Sequence, residues 1–292
     1  MRGKGDILIF AEQEDGVIHQ VVYELLGKGR EFADRLGVSL SVVLLGWRIE
    51  DEASELIYRG ADNVFIYDHP SLQDFDVIRY GRNIVKLVKE IKPSIFLIGA
   101  THIGRTLAPR IAAALRTGLT ADCIDLDLDE EANLIQIRPA FSGNIMAQIK
   151  TKTRPQMATV RYRVMRMRER DTRRKGKIIK RKVEVIDETG MRIIKKIKAD
   201  EVDLTEAEVI VSGGRGLKKP EDFNLLRELA EALGGVVGSS RPLVDAGWIT
   251  KDHQVGFSGN TVKPKVYIAC GISGAPQHLF WNERFRCYYR DK

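Results

Sequence analysis

A β-branched, apolar run at Val266–Cys270 leads directly into the glycine-rich turn Gly271–Gly274, and Gln277 and His278 follow where a helix should begin. A strand, a glycine turn and a helix start together present backbone N–H groups and the positive end of a helix dipole, which suit a phosphate or another anionic part of a cofactor. Ser273, Gln277 and His278 can also donate hydrogen bonds to a ring system. A tight connection within an α/β fold is the alternative, because such turns are frequent there.

The first part of the chain alternates short apolar runs with segments of helical spacing. The pattern predicts strands at 7–10, 40–45, 64–67 and 95–99 and helices at 18–36, 51–58, 75–91 and 105–115. Such alternation predicts right-handed βαβ units and a Rossmann-like parallel sheet. From Cys123 to Val164 apolar and polar residues alternate, which predicts antiparallel strands added to that sheet. We interpret Asp125, Asp127 and Asp129 as a polar strand face and not as a cation site.

A charged stretch that is poor in aromatic residues separates two α/β parts of the chain. We predict an N-terminal domain over 1–185, a linker over 186–207 and a second α/β domain over 208–292. The second domain is expected to begin with a strand at 208–211 and to continue with an amphipathic helix at 221–233, which Gly234 and Gly235 end. A short strand at 236–238 follows.

Composition narrows the class of protein. A hydrophobic content of 43% and a charged content of 30% are typical of a globular chain, and no run of eighteen apolar residues predicts a membrane span. Cys123, Cys270 and Cys287 lie far apart without metal-ligand spacing, so they are interpreted as thiols of a reducing compartment, and no metal site is predicted. Residues 1–6 lack the features of a signal peptide, and a cytoplasmic location is expected.

The formal net charge of +7 is concentrated in one region. The segment from Arg161 to Lys182 contains twelve Lys or Arg residues but only two acidic residues, and Tyr162 is its single aromatic residue. Nucleic-acid binding would require aromatic residues among the cations, so we predict no nucleic-acid partner. A solvated, partly flexible hairpin is the favoured interpretation, and docking of an acidic partner is the functional alternative.

Two arginines in the second domain follow strand–turn patterns. Arg215 lies in a Gly-Gly-Arg-Gly turn whose glycines allow close backbone approach, and its guanidinium can pair with a phosphate or stack on a ring. Arg241, preceded by Ser240 and fixed by Pro242, can stabilise a negative charge on a bound ring. No catalytic residue is predicted, because Gly271–Ala275 lacks the last glycine of a nucleophile elbow.

The glycine turns, in this order from about Glu208 to His278, resemble the C-terminal domain of the electron-transfer flavoprotein alpha subunit family, and the N-terminal part is similar to that family's first domain. The resemblance implies FAD as the cofactor. It assigns FAD contacts to Arg215, Ser240, Arg241, Val255, Gly256, Phe257, Ser258, Ser273, Gly274, Ala275, Pro276, Gln277 and His278. Phe257 and Ser258 stand where the family usually has Gln-Thr, so the hydroxyl is kept and the amide is lost.

The same resemblance implies an electron carrier without a substrate of its own. Such a subunit forms a heterodimer with a beta subunit, which the N-terminal domain contacts. It accepts electrons from flavin dehydrogenases, such as the acyl-CoA dehydrogenases of fatty acid oxidation, and passes them to a quinone reductase or another acceptor. The alternative is a partner-binding remnant of the family that has lost FAD.

The resemblance stops after His278. The family continues with a Gly-Met-Lys-Asp-Ser-like segment, a strand ending in Ala-Ile-Asn and a later Ala-Asp motif. The last two of these motifs hold the adenosine end of FAD in the family, and both are absent from this sequence. One coding of residues 280–292, read one base later, gives Ser-Gly-Met-Lys-Asp-Ser-Gly-Val-Ile-Ile-Ala-Ile, so we hypothesise a frameshift near Phe280. As written, the second domain is expected to be incomplete and to expose core surface and an unpaired sheet edge.

Overall fold

A computed structural model describes residues 5–140, 145–186, 189–191, 193–194, 204, 207–256, 259–260, 262, 264–274 and 287–291. The chain divides into an N-terminal unit, Met1–Ala140 with Asn144–Arg192, and a C-terminal unit, Phe141–Gly143 with Ile193–Lys292. The domain and linker limits given above stay a prediction. Among the described residues, no helix has both the length and the apolar character needed to cross a membrane.

The N-terminal unit is built on a seven-stranded parallel sheet. Its strands are β1 (Ile7–Ala11), β4 (Leu40–Gly46), β5 (Asn63–Asp68), β6 (Ile95–Gly99), β7 (Leu119–Cys123), β11 (Gln156–Val160) and β12 (Lys177–Lys180), in the order β12-β5-β4-β1-β6-β11-β7. Four helices connect them: α1 (Gln20–Leu36), α2 (Glu52–Tyr58), α3 (Val77–Ile91) and α4 (His102–Leu115). A short hairpin of two-residue strands, β2 (Gln13–Glu14) and β3 (Val17–Ile18), precedes α1. The predicted α/β fold with a parallel sheet is confirmed.

Both faces of this sheet are buried. In β1, Ile7 and Ile9 pack in one hydrophobic cluster, and Leu8 and Phe10 pack in a second cluster on the other face. A strand that buries both faces needs a continuous apolar sequence, which is what these residues supply. All four predicted strands and all four predicted helices of this part form, with ends that shift by up to three residues.

The predicted antiparallel strands form a sheet of their own. They are β8 (Asp125–Leu128), β9 (Leu134–Ala140) and β10 (Ile145–Lys150), in the order β10-β9-β8. The predicted additional antiparallel strands are confirmed; they form this separate sheet, while β11 of the same region joins the central sheet in parallel between β6 and β7. Exposed Asp127 pairs with Arg35 at 2.9 Å, and Asp129 pairs with Lys150 at 2.8 Å, which agrees with a polar face.

The basic region is an arm over residues 161–181 that is largely exposed, as expected, but its strand β12 pairs in parallel with β5, so the predicted hairpin was wrong. The buried Glu24 carboxylate accepts the backbone N–H groups of Arg163 at 2.9 Å and Met165 at 3.0 Å. Farther along the arm, Arg170 pairs with Glu55 at 2.7 Å, and the arm ends as strand β12 on the edge of β5. Carboxylates of α1 and α2 therefore hold a segment whose sequence shows only an excess of cations.

The C-terminal unit contains a four-stranded parallel sheet. Its strands are β13 (Val209–Gly213), β14 (Val236–Ser239), β15 (Val266–Cys270) and β16 (Cys287–Asp291), in the order β14-β13-β15-β16, with the helices α5 (Phe223–Ala232) and α6 (Arg241–Asp245). The predicted strands and the amphipathic helix are confirmed. The sequence did not predict β16, which pairs with the edge of β15, so the open edge lies one strand farther out. The helix start expected at Gln277 lies outside the described residues.

Candidate functional site

The carboxyl ends of three parallel strands meet at one edge of the C-terminal sheet. From the central strand β13 the chain goes first to β14 on one side and later to β15 on the other. In open α/β sheets, ligands bind outside the carboxyl ends of the strands at such a switch in strand order. The loops that follow β13, β14 and β15 contain the glycine turns singled out in the sequence.

Two glycine turns pack backbone against backbone at this edge. The N–H groups of Gly214 and Gly216 donate to the carbonyl oxygens of Cys270 and Gly271, each at 2.9 Å. A Cβ on Gly214 would lie 2.5 Å from the oxygen of Gly271, and one on Gly216 would lie 2.6 Å from the Cα of Gly271. Only glycine therefore fits at these positions, and the residues between them are presented at the surface.

Hydrogen bonds connect the other two turns to this pair. The N–H of Ser240 donates to the oxygen of Gly213 at 2.9 Å, and the N–H of Val255 donates to the oxygen of Ser239 at 2.9 Å. Four segments that are distant in sequence thus form one continuous ridge at the carboxyl edge of the sheet.

The described site residues on this ridge differ in what they can offer a ligand. Arg215 and Ser273 are exposed, Ser240 and Gly274 are half-buried, and Gly256 is buried. The Arg241 side chain is 65% exposed, and its Nε lies 3.2 Å from a carboxylate oxygen of Asp245. The Val255 side chain is only 2% exposed and packs in the core, which leaves its backbone for a ligand contact. The other six predicted contacts, Phe257, Ser258, Ala275, Pro276, Gln277 and His278, lie outside the described residues.

Ser212 is a site feature that the sequence analysis did not single out. Its hydroxyl is fully buried one residue before Gly213 and has no hydrogen-bond partner among the described residues. A Cβ on Gly238 would lie 2.3 Å from this oxygen, so the hydroxyl occupies the space that a side chain on β14 would fill. A serine at the end of the apolar run Val209–Val211 is the signal that could have identified it.

This ridge fits a ligand that carries both a phosphate and a ring. Glycine turns without Cβ atoms let a phosphate approach the backbone, and the exposed guanidinium of Arg215 can neutralise its charge. The Arg241 guanidinium offers a second, permanently charged donor from the next loop.

Comparison with known proteins decides the family. A family model for the electron transfer flavoprotein domain matches residues 7–186, and one for the electron transfer flavoprotein FAD-binding domain matches residues 203–280. The alpha subunit of the electron transfer flavoprotein of Thermoanaerobacterium thermosaccharolyticum is 53% identical over 94% of this chain and 84% of its own length. The chain belongs to the electron transfer flavoprotein alpha subunit family.

Two further relatives are named as parts of larger complexes. Subunit LctC of the lactate dehydrogenase (NAD(+),ferredoxin) of Acetobacterium woodii is 46% identical over 93% of this chain and 66% of its own length. The acryloyl-CoA reductase electron transfer subunit beta of Anaerotignum propionicum is 43% identical over 94% of this chain and 83% of its own length. The names of these relatives thus include both electron carriers and subunits of enzyme complexes.

The family match confirms the predicted cofactor and the predicted role. The chain is an FAD-dependent electron-transfer protein, and its C-terminal unit carries the FAD-binding domain. The assignment of individual residues to FAD stays a prediction. The match to the FAD-binding domain reaches residue 280, and the frameshift hypothesis for the following residues also stays a prediction.

Proposed function

We propose that the chain is the alpha subunit of a heterodimeric electron carrier. It accepts electrons from a flavin dehydrogenase, such as an acyl-CoA dehydrogenase, and passes them to a quinone reductase or another acceptor, without converting a substrate of its own. The observation that supports this proposal is the single ridge formed by the glycine turns after β13, β14 and β15, with Arg215 and Arg241 on it.

In this proposal, different residues of the ridge contact different parts of a flavin nucleotide. FAD, when bound, supplies the redox chemistry by accepting and releasing electrons. In our proposal the Gly213–Gly216 turn and Arg215 hold the phosphates, and Arg241 faces the ring. A permanent positive charge beside the ring favours its reduced, anionic form, so Arg241 would raise the reduction potential. The exposed pair with Asp245 is weak enough for Arg241 to exchange that partner for the ring.

The test is the midpoint potential of the flavin in the Arg241→Ala variant, purified as a complex with the beta subunit. Losing one charge-assisted hydrogen bond to the reduced ring, worth about 1.5–3 kcal/mol, lowers the potential of a two-electron couple by about 30–60 mV. Arg227→Ala serves as the matched control, because Arg227 is also exposed and bonds to Asn224 on α5. An unchanged midpoint potential in a variant complex that still holds FAD would show that Arg241 does not contact the flavin ring.

Flavin content separates this proposal from its alternative. Co-purified FAD that is bleached by a reduced dehydrogenase supports the carrier. A chain that pairs with a beta subunit but holds no flavin, even after FAD is added, is a partner-binding remnant.

We further propose a cytoplasmic location. Cys123 is buried as a free thiol, as expected in a reducing compartment.

A further inference from the structure

Ser212 combines full burial with a hydroxyl that has no hydrogen-bond partner among the described residues. It lies on β13, the central strand of the C-terminal sheet, one residue before that strand ends. Two other serines in the described part of the chain are as deeply buried, and the hydroxyls of both are bonded. Ser41 Oγ accepts from Asn63 Nδ2 at 3.3 Å. Ser239 Oγ donates to the Ser240 oxygen at 3.2 Å. Ser212 therefore differs from them in its hydrogen bonding and not in its depth.

Methyl groups close the space beside this hydroxyl. A Cβ built on Gly238, the cross-strand partner of Ser212, would lie 2.3 Å from the Ser212 oxygen. The same Cβ would lie 2.9 Å from Val255 Cγ2 and 3.1 Å from Ile210 Cγ2, and neither methyl group can form a hydrogen bond. A buried hydroxyl without a partner loses its hydration without compensation, so an apolar side chain here would make the free chain at least as stable.

Ser212 lies in the row of the sheet that supports the candidate site. Its cross-strand neighbours are Gly238 on β14 and Ala269 on β15. One or two residues after this row, each of the three strands enters the turn that contributes to the ridge. A change at the ridge is therefore transmitted to the surroundings of the Ser212 hydroxyl through very few residues.

A ligand on the ridge can supply what the free chain lacks. FAD brings hydrogen-bonding oxygen and nitrogen atoms to the carboxyl edge of the sheet, and the turns must adjust to them. If the hydroxyl is unpaired in the free chain and paired in the bound one, the bond stabilises only the bound state and tightens FAD binding by the same free energy. A serine present only for its small volume gives no such gain, because alanine is smaller and apolar.

We propose that Ser212 is a positioning residue for FAD. Its hydroxyl gains a hydrogen-bond partner within the ridge only when FAD is bound, and that bond holds the turn after β13 in its FAD-bound conformation. This inference rests on the proposed function, because it places FAD on this ridge. It adds a buried residue, outside the predicted FAD contacts, that favours the bound state over the free one.

The test compares the flavin-free full-length chain with its FAD complex in the Ser212→Ala variant. Without FAD, the thermal unfolding midpoint of the variant should equal or exceed that of the wild type, because the substitution removes an unpaired buried hydroxyl. In a fluorescence titration the variant should bind FAD about tenfold more weakly, which corresponds to about 1.4 kcal/mol, because the bond formed on binding is lost. A role in packing alone would not weaken FAD binding while it leaves the free chain as stable as before.

Ser41→Ala is the matched control. Ser41 is an equally buried serine on β4 of the N-terminal unit, and its hydroxyl is already bonded in the free chain. This variant should have a lower unfolding midpoint, while its affinity for FAD stays within about twofold of the wild type. Ser212→Cys keeps a weak donor and should recover part of the affinity that Ser212→Ala loses.

Three outcomes would overturn the inference. The first is a Ser212→Ala variant that binds FAD as tightly as the wild type, and the second is a weaker affinity that comes with a lower midpoint of the free chain. The third is a wild-type chain that binds no FAD. Bleaching of the bound FAD by a reduced dehydrogenase is recorded in the same samples. The expected difference in affinity without any bleaching supports the role of Ser212 while it refutes the proposed electron carrier.

Discussion

Glu12 provides a test of the electrostatics inside the N-terminal unit. It follows β1 directly and is only 6% exposed, and the hydroxyl of Thr101, the N-cap of α4, donates to its carboxylate at 2.5 Å. Burial raises the pKa of Glu12 from 4.5 to about 7; the Thr101 hydrogen bond opposes the shift and Glu14 adds to it. The folded protein therefore holds this proton more tightly than the unfolded chain does.

The sign and the size of the effect follow from linkage. Because the folded pKa is raised, the stabilisation is complete below pH 4.5 and is lost as the pH rises through about 7. At about 1.4 kcal/mol per pH unit, the full loss is about 3 kcal/mol. Glu12→Gln removes the ionisation and keeps a carbonyl oxygen for Thr101. Relative to the wild type, this variant should therefore gain stability as the pH rises from 5 to 8.

The assay is urea unfolding of the wild type and the Glu12→Gln variant at several pH values between 5 and 8. The quantity to compare is how the difference in unfolding free energy changes with pH, since any fixed effect of the amide cancels. Glu130→Gln, which removes a carboxylate at an exposed position, is the control. A difference between Glu12→Gln and the wild type that stays constant within about 0.5 kcal/mol across this range would refute the raised pKa.

Two further predictions concern packing. Gly216→Ala would place a Cβ 2.6 Å from the Cα of Gly271, so the two turns must separate at a cost of about 1–3 kcal/mol. The variant should therefore bind FAD more weakly in a fluorescence titration. Gly234→Ala, at an open position with φ of +62°, should leave FAD binding unchanged. Glu24→Ala removes the acceptor of the Arg163 and Met165 N–H groups at a cost of about 1–3 kcal/mol. Limited proteolysis should therefore cut the arm faster in the variant than in the wild type. Equal cleavage rates in the two proteins would show that other contacts hold the arm.

The sequence predicted the strands and helices whose pattern of apolar residues follows from their own burial. It did not predict segments whose structure depends on contacts with residues far away in the chain. The continuous apolar run of β1 requires a strand covered on both faces, and the structure has it there. By contrast, Lys177–Lys180 contains two lysines and becomes a strand only because the edge of β5 accepts it. The arm before it shows the same limit, since the carboxylate of Glu24 that holds Arg163 lies 139 residues earlier. Within the candidate site, glycine spacing located the turns, but the buried hydroxyl of Ser212 became visible only when β14 was placed beside it.

The two units also show why the flavin is assigned to one of them. Both have parallel sheets with a switch in strand order, at β1 and β6 in the N-terminal unit and at β13 and β15 in the C-terminal unit. At the first switch, the carboxylate of Glu12 accepts from the N-cap Thr101, so a group that can become negative occupies the place where a phosphate would bind. At the second switch, Gly214, Gly216 and Gly271 bring bare backbone together beside Arg215. Glu12 therefore disfavours an anionic nucleotide at the first switch, whereas bare backbone and Arg215 favour one at the second, in agreement with the FAD-binding domain matched over residues 203–280.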